Sequence, residues 1–493
     1  MLLKRVAPLL APLGEGGWML LVVLLPITSM PLVTLLFGSS EVAVPAGVVL
    51  LVFVLVWLVP FLIKKGRIPR QSLPLVGFVL TAVISCACAF FLAIPPFKDV
   101  SIPLNELKGL LTLAVGVCFY LVTAVWVSDS KRMEATLRWM NWSGLVVLLW
   151  SALQLALWYT TNHYPEWLRT IQSFFSVGPL YRQRPTGFTL EPSFLANQLN
   201  LLYLPAWLAA SIWRTSAHRF NLFGFIFEDA LLTAGAAMMF FSLSRVGMLA
   251  FFLMIAYLIF KGSLFFSGWI QTKLAARTNA GTFWASRRKL IASMILITLF
   301  LSYLAVAGGA GFALSRLDPR MKTLFQFSLE GKDPFLKYAD QLTFASRVVY
   351  WQAGWEVFND YPWLGVGLGN SGFFFPEKMS GFGWGLVEVR RLMYVDTALP
   401  NIKSLWVRLL AETGLVGFAF FVCWLYLVWH TATWLENRMA DRRAKMLALM
   451  GKLAIIALVF EGFSVDSFAL PYLWFALGLV TAASLSPAHV EEM

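Results

Sequence analysis

The chain is built from recurring runs of apolar residues, and no other feature narrows its fold as far. A hydrocarbon slab about 30 Å thick is crossed by roughly 20 helical residues at a rise of 1.5 Å. Such runs lie at about 18–37, 43–63, 74–94, 109–127, 143–160, 193–213, 222–243, 246–260, 288–308, 404–430, 447–463 and 470–486. Of 493 residues, 59% are hydrophobic and 13% charged, against roughly 45–50% and about 25% in soluble domains. A water-facing fold could not hide that apolar surface. Only helices satisfy their own backbone in unbroken runs of this kind. The expected fold is therefore an all-α polytopic membrane protein with about twelve transmembrane helices. It divides into helices 1–5 (residues 1–160), a loop (161–192), helices 6–9 (193–308), a large loop (309–403) containing amphipathic helices, and helices 10–12 with a tail (404–493). Only Lys4 and Arg5 precede the first run, with no small-residue cleavage site, so it reads as an anchor.

Lysines and arginines of short loops orient the spans. Lys64, Lys65, Arg67 and Arg70, then Lys261, Arg287, Arg288 and Lys289, then Arg438, Arg442, Arg443 and Lys445 fall on one side under twelve-span parity. That side is assigned to the cytoplasm, with both termini, and the two long connections are assigned to the periplasmic face of an inner membrane. The parity requires a turn at Ser242–Gly247, because burying Arg245 at mid-membrane would cost at least about 2.5–3.5 kcal/mol.

The net charge of +13 would suggest nucleic acid in a soluble chain. Here part of it is topology signal, and nucleic acid is not an expected partner. The outer share includes Arg169, Arg182, Arg184, Arg245, Arg316, Arg320, Arg347, Arg390, Arg391, Lys403 and Arg408. Arginines outside the positive-inside pattern suit an anionic ligand, against the plainer alternative of headgroup contacts and loop salt bridges. The four cysteines, Cys86, Cys88, Cys118 and Cys423, fall inside apolar runs and read as filler.

Three segments of the outer loops carry polar pattern. Tyr181-Arg-Gln-Arg-Pro-Thr-Gly-Phe-Thr-Leu-Glu-Pro-Ser193 brings Arg182, Arg184 and Glu191 to the start of the sixth span. Glu191 is either a favourable carboxylate at a helix N-terminus or a base beside an anion clamp. In Ser346–Phe358, the spacing of Trp351, Trp355 and Phe358 predicts an amphipathic helix lying against the bundle or interface and ending before Pro362. Gly365-Val-Gly-Leu-Gly-Asn-Ser-Gly372 could offer amides to phosphate but reads better as a tight turn. Entering the tenth span, Lys403, Trp406, Val407 and Leu410 are expected on one helix face, with Arg408 and Glu412 paired on another.

These segments together resemble the bacterial O-antigen ligase and polymerase superfamily, membrane enzymes acting on undecaprenyl-diphosphate-linked glycans. The resemblance rests on Arg184-Pro-Thr-Gly-Phe-Thr-Leu-Glu-Pro192, Ser244-Arg245, Arg347 through Gly369, and Lys403 through Gly417, and covers mainly 180–420. The family's ligases place a His and a small polar residue at a fixed distance before Gly-x-x-Gly. Here Gly414 and Gly417 supply the glycines, and Lys403 and Ser404 stand at those positions. The missing histidine favours a polymerase of O-antigen or exopolysaccharide over a ligase acting on another acceptor. The resemblance implies an undecaprenyl-diphosphate-linked oligosaccharide and the bilayer as partners, and admits a chain-length regulator.

Transfer from a lipid diphosphate needs positive charge on the leaving group and an acceptor for the proton of the attacking hydroxyl. Arg182, Arg184, Arg245, Arg347 and Arg408 are nominated for the diphosphate, and Glu191 and Lys403 as alternative bases. With no Asp-x-Asp pair or histidine cluster in the sequence, no metal and no cofactor are expected. A lipid-linked glycan transporter and a non-enzymatic scaffold are the rival classes. Transporters place ionisable groups at the midplane and carry related halves, whereas here the charges crowd the outer loops.

Overall fold

Where the apolar runs lie, the backbone closes on itself as helix. The computed structural model describes residues 14–37, 44–277 and 344–485, with scattered positions from 293 to 339. Part of the expected ninth span, together with Lys4, Arg5, Arg287, Arg288, Lys289 and Arg320, falls outside the described residues. Among the described residues, six helices are long and apolar enough to cross a bilayer: α2 (Pro45–Ile63), α3 (Arg70–Ala89), α4 (Ile102–Trp126), α5 (Ser130–Thr161), Arg245–Phe265 within α9 (Arg245–Arg277), and α12 (Leu405–Arg438). Shorter apolar helices are α1 (Gly14–Leu24) and α14 (Pro471–Leu485). Among the described residues the bundle also holds α7 (192–213), α8 (Phe227–Phe241) and α13 (Arg442–Glu461), with the short α6 (Glu166–Phe175) between α5 and α7. The chain is a multi-pass membrane protein.

Several of the expected spans differ in form, the first and the sixth among them. The first is interrupted after Leu24 by a non-helical segment and resumes at Pro31–Phe37. The sixth, α7, consists of Pro192–Gln198, a π turn at Leu199–Tyr203 and Leu204–Trp213. Proline at the head of the last piece has no amide to give, so the helix widens by one residue ahead of it.

Helices α7, α13 and α14 form the centre. α13 packs on α7, α9, α12 and α14, and α14 also lies along α4. α14 is enclosed on all sides, from Tyr472 to Ser484. Outer helices keep one apolar face for lipid, as Leu51, Leu55, Val56 and Ile63 do on α2. The expected turn between α8 and α9 is present at Ser242–Ser244, with Leu243 left-handed at φ 50°. The cysteines form no disulfide among the described residues.

A second apolar core sits beyond the ends of α3, α4 and α12. It gathers Val349, Tyr350, Ala353, Val357, Phe373, Phe375 and Ile402 against Leu92, Ile94 and Phe97. Its main helix, α10 (Ala345–Asp360), ends two residues before Pro362, as the proline requires. The buried face is not the aromatic stripe expected from spacing. Ser346, Val349, Tyr350, Ala353, Gly354 and Val357 turn inward, and Trp355 is 48% exposed. Small side chains allow close approach: a Cβ on Gly354 would meet Ile402 and Val407. Of the two indoles, Trp355 is left to the outer surface, while Trp351 packs partly buried against Phe344 and Phe463.

Candidate functional site

The site is framed by a break in α12. Gly414 takes φ 64°, ψ −171°, so the helix stops and restarts there. Such a break strands carbonyls on one side and amides on the other, which near a bilayer must be met by protein. The glycine-rich loop meets them. Val366 N donates to the Ala411 carbonyl and Gly367 N to the Glu412 carbonyl, both at 3.0 Å, while Leu415 N and Val416 N donate to the Pro362 and Trp363 carbonyls at 2.8 and 3.3 Å respectively. Ser85 of α3 joins the seam, accepting from Gly367 N at 3.0 Å and pointing its hydroxyl at the Leu364 and Glu412 carbonyls. Gly365, Gly367 and Gly369 are all left-handed. This is the tight turn expected from the sequence, and its amides close a helix break rather than face an anion.

The chain entering α12 carries two of the nominated cations. Ser404 is the N-cap, its Oγ accepting from Val407 N, so Lys403 stands outside the helix at φ 55°. The expected shared face of Lys403 with Trp406 and Leu410 is therefore corrected: a left-handed residue ahead of the cap points away from the helix surface. Lys403 Nζ pairs with Glu388 at 3.0 Å and lies over the Tyr350 ring at 5.2 Å, and its amide donates to Asp466 at 3.1 Å. Glu388 lies in the helix Val387–Tyr394 and also accepts from Ser346 Oγ at 2.8 Å. Burial pushes its carboxyl upward, but Lys403, Ser346 and the field of Arg347 outweigh this and hold it below the usual carboxylate range. Arg408 pairs with Glu412 at 2.8 Å as expected, and it also donates to the Asp466 carbonyl at 2.8 Å.

Arg347, on α10, donates to Ser464 O at 3.1 Å and Oγ at 2.9 Å. Thus Arg347, Lys403 and Arg408 all reach the segment 462–470 between α13 and α14, where Leu405 N and Ser404 Oγ also bond to Gly462 O.

The remaining cations meet at another turn. Gln154 of α5 accepts from Thr186 N and Gly187 N at 2.9 and 3.1 Å and donates to Gly187 O at 3.1 Å, pinning the loop before α7. Arg184 Nε then donates to Ser242 O at 2.8 Å, in the turn that Arg245 follows as first residue of α9. Arg182 is exposed on the same loop. Glu191 is the N-cap of α7, yet its side chain makes no capping bond and accepts instead from Ser193 Oγ.

A buried polar bridge joins the two groups. Asn200, in the π turn of α7, donates to Gly247 O at 2.8 Å and to Glu461 at 2.6 Å, and Asn197 donates to the other Glu461 oxygen at 3.2 Å. Glu461 ends α13, directly before the segment that receives Arg347, Lys403 and Arg408. Sequence reading missed Asn197, Asn200, Glu388, Glu461, Ser464 and Asp466. For three of them a signal existed: Asn197, Asn200 and Glu461 are polar residues inside otherwise apolar runs, which membrane chains rarely keep without use.

A family model described as O-antigen ligase matches residues 230–422. That stretch runs from α8 through α12 and includes Arg245, Arg347, Lys403, Arg408 and Gly414. Comparison with curated proteins gave no match.

Proposed function

We propose that the chain is a membrane glycosyltransferase of surface polysaccharide, a reading supported by the O-antigen ligase match over residues 230–422. In this reading it joins undecaprenyl-diphosphate-linked repeat units at the periplasmic face of the inner membrane. The observation that carries it is the gathering of Arg184 with Arg245 at one turn and of Arg347 with Lys403 at the next, bridged by Asn200 and Glu461.

The acceptor hydroxyl attacks the anomeric carbon, the bond from that carbon to the diphosphate oxygen breaks, and the diphosphate leaves with the electron pair. Arg184, Arg245 and Arg347, with Arg182 at the rim, hold the departing charge, since a guanidinium fork matches phosphate oxygens and keeps its proton. Lys403 joins them as a clamp. Its Nζ is already paired with Glu388 at 3.0 Å. Glu191, whose side chain accepts from the Ser193 hydroxyl, takes the proton from the attacking group. Arg408, engaged by Glu412 and Asp466, holds the frame.

The test is incubation of purified protein with lipid-diphosphate oligosaccharide. Longer lipid-linked chains support polymerisation. Transfer only to an added second acceptor supports the ligase alternative, which the description of the matching family favours and the missing histidine opposes. Neither product, with movement of the intact donor across vesicles, turns the assignment to a transporter. Arg184→Gln and Arg347→Gln are each expected to lower turnover about 10²–10³-fold, the usual cost of removing one transition-state charge partner, while the protein stays folded.

A further inference from the structure

The short helix α6 divides into three lengthwise stripes, each repeating at helical spacing. Leu168, Gln172 and Phe175 face the protein, with Leu168 at 0% and Gln172 at 2% exposure. Glu166, Arg169, Thr170 and Ser173 form an exposed polar stripe. Between the two lies an apolar stripe of Trp167, Ile171 and Phe174 that stays open among the described residues, Trp167 being 49% and Phe174 66% exposed. α5 begins on the face where its Glu134 pairs with Arg443 of α13. Its far end, and α6 after it, therefore lie on the face where α13 ends at Glu461 and where Arg347 and Lys403 are found. There α6 packs on Pro31–Phe37. The surface beside it is already the apolar belt of a membrane protein, with Leu32 of that helix and Tyr159 of α5 both exposed. The open stripe continues this belt. A helix with one side on protein, one apolar side open and one polar side has the geometry of a segment lying in the membrane plane, and tryptophan is enriched at that level.

The inner side of α6 and its flanks hold the turn that carries Arg184. Tyr164 Oη donates to Tyr181 O at 2.7 Å, Gln172 Nε2 to Gly187 O at 3.1 Å, and Ser176 Oγ to Thr189 O at 3.1 Å. Gln172 Oε1 accepts in turn from Trp150 and Gln154 of α5 at 2.8 and 3.1 Å, and the Phe175 ring meets Phe188 edge-on at 5.1 Å. We propose that Trp167, Ile171 and Phe174 seat α6 in the lipid interface on the Lys403 side of the membrane, and that Gln172 passes this depth on to the Arg184 turn. The bilayer is the partner of the open stripe, and Gln172 is a positioning residue. Three attachments within nine residues leave the turn little freedom to sit at another height than the helix that holds it. The lipid contact stands apart from the diphosphate reading above, whereas the use of the turn's height for gripping a lipid head rests on it.

The experiment uses the full chain in phosphatidylcholine–phosphatidylglycerol nanodiscs, spin-labelled at single added cysteines, with the labelled wild type giving the background of the native cysteines. Collisions with oxygen, which concentrates in lipid, are compared with collisions with a nickel chelate, which stays in water. Labels at Trp167→Cys, Ile171→Cys and Phe174→Cys are expected to be oxygen-dominated, about 5–10 Å into the headgroup and acyl boundary, and labels at Arg169→Cys and Ser173→Cys nickel-dominated. Nickel-dominated labels on both stripes, or apolar-stripe labels shielded from both quenchers as under a second protein chain, overturn the lipid seat. For the link to the turn, a label at Gln183→Cys should shift its oxygen-to-nickel ratio in Gln172→Met and again in the pair Ile171→Ser with Phe174→Ser, while a label at Gly381→Cys beside the second core keeps its own. An unmoved ratio at Gln183, or a general loss of order that moves both labels, overturns the positioning role. No glycan or diphosphate is added, so either failure leaves the diphosphate reading standing, and failure of that reading leaves the lipid seat standing.

Discussion

Single residues decide whether the frame of the site can form. Gly414 has a positive φ, and a Cβ there would collide with the Trp363 carbonyl, so Gly414→Ala meets both backbone strain and a backbone clash. Left-handed strain alone costs about 1–3 kcal/mol, and Trp363 cannot retreat without losing its bond from Val416. A clear fall in thermal midpoint in nanodiscs is expected, and an unchanged midpoint would mean the break is not held by this contact. Glu388 makes a prediction about acid. Its carboxyl is held below the ordinary range, opposed by burial but favoured by Lys403, Ser346 and Arg347, so its contribution is present above the unfolded carboxyl's value and lost as pH falls through the lowered one. The difference in thermal midpoint between wild type and Glu388→Gln should thus be constant at neutral pH and close only in acid. It should be small, because the pair is partly open to solvent. Of these two residues only the glycine stood out in the sequence, as part of a Gly-x-x-Gly motif, and its break was not expected. The partner of Lys403 lies fifteen residues away in another helix, beyond what local spacing can report.

At the level of elements, apolar runs located most of the helices because burial in lipid depends on composition alone. Which face of a helix packs depends on shape, and that is where α10 departed from its pattern. Its aromatic spacing pointed to Trp351, Trp355 and Phe358, whereas the helix seats Val349, Ala353 and Val357 against the second core. The two faces should respond differently to truncation. Val357→Ala removes buried methyl groups and is expected to cost about 1–3 kcal/mol, whereas Trp355→Ser, at a half-exposed position, should stay within roughly 0.5 kcal/mol. Equal losses at both positions, measured by chemical denaturation of the purified protein, would restore the aromatic face as the packed one. The break in α12 was legible only in part: Gly414 and Gly417 were visible as a motif, but the loop that fills the gap comes from fifty residues upstream, and nothing local announces that pairing.

For the whole molecule, the length of α12 settles which charges can lie together. Its 34 residues span about 50 Å at 1.5 Å each, well beyond a hydrocarbon core of about 30 Å. Even with the break at Gly414, Lys403 and Arg408 at its start and Arg438 at its end must emerge on opposite faces of a bilayer. The end of α13 returns to the first face, which is why Ser464 and Asp466 meet Arg347 and Arg408 there, while Arg442 and Arg443 at its start remain on the second. In the proposed topology, read from the positive-inside bias, the second face is the cytoplasmic one. Gly381, exposed with nothing within 4 Å of an added Cβ, and Arg442, exposed before the body of α13, are suitable reporters. A membrane-impermeant maleimide should label Gly381→Cys in intact spheroplasts and Arg442→Cys only in inverted vesicles, each measured over the background of the native cysteines. Labelling of both from one side would place the arginine groups and the basic loops on the same face, and the proposed outer transfer site would have no membrane geometry to stand on.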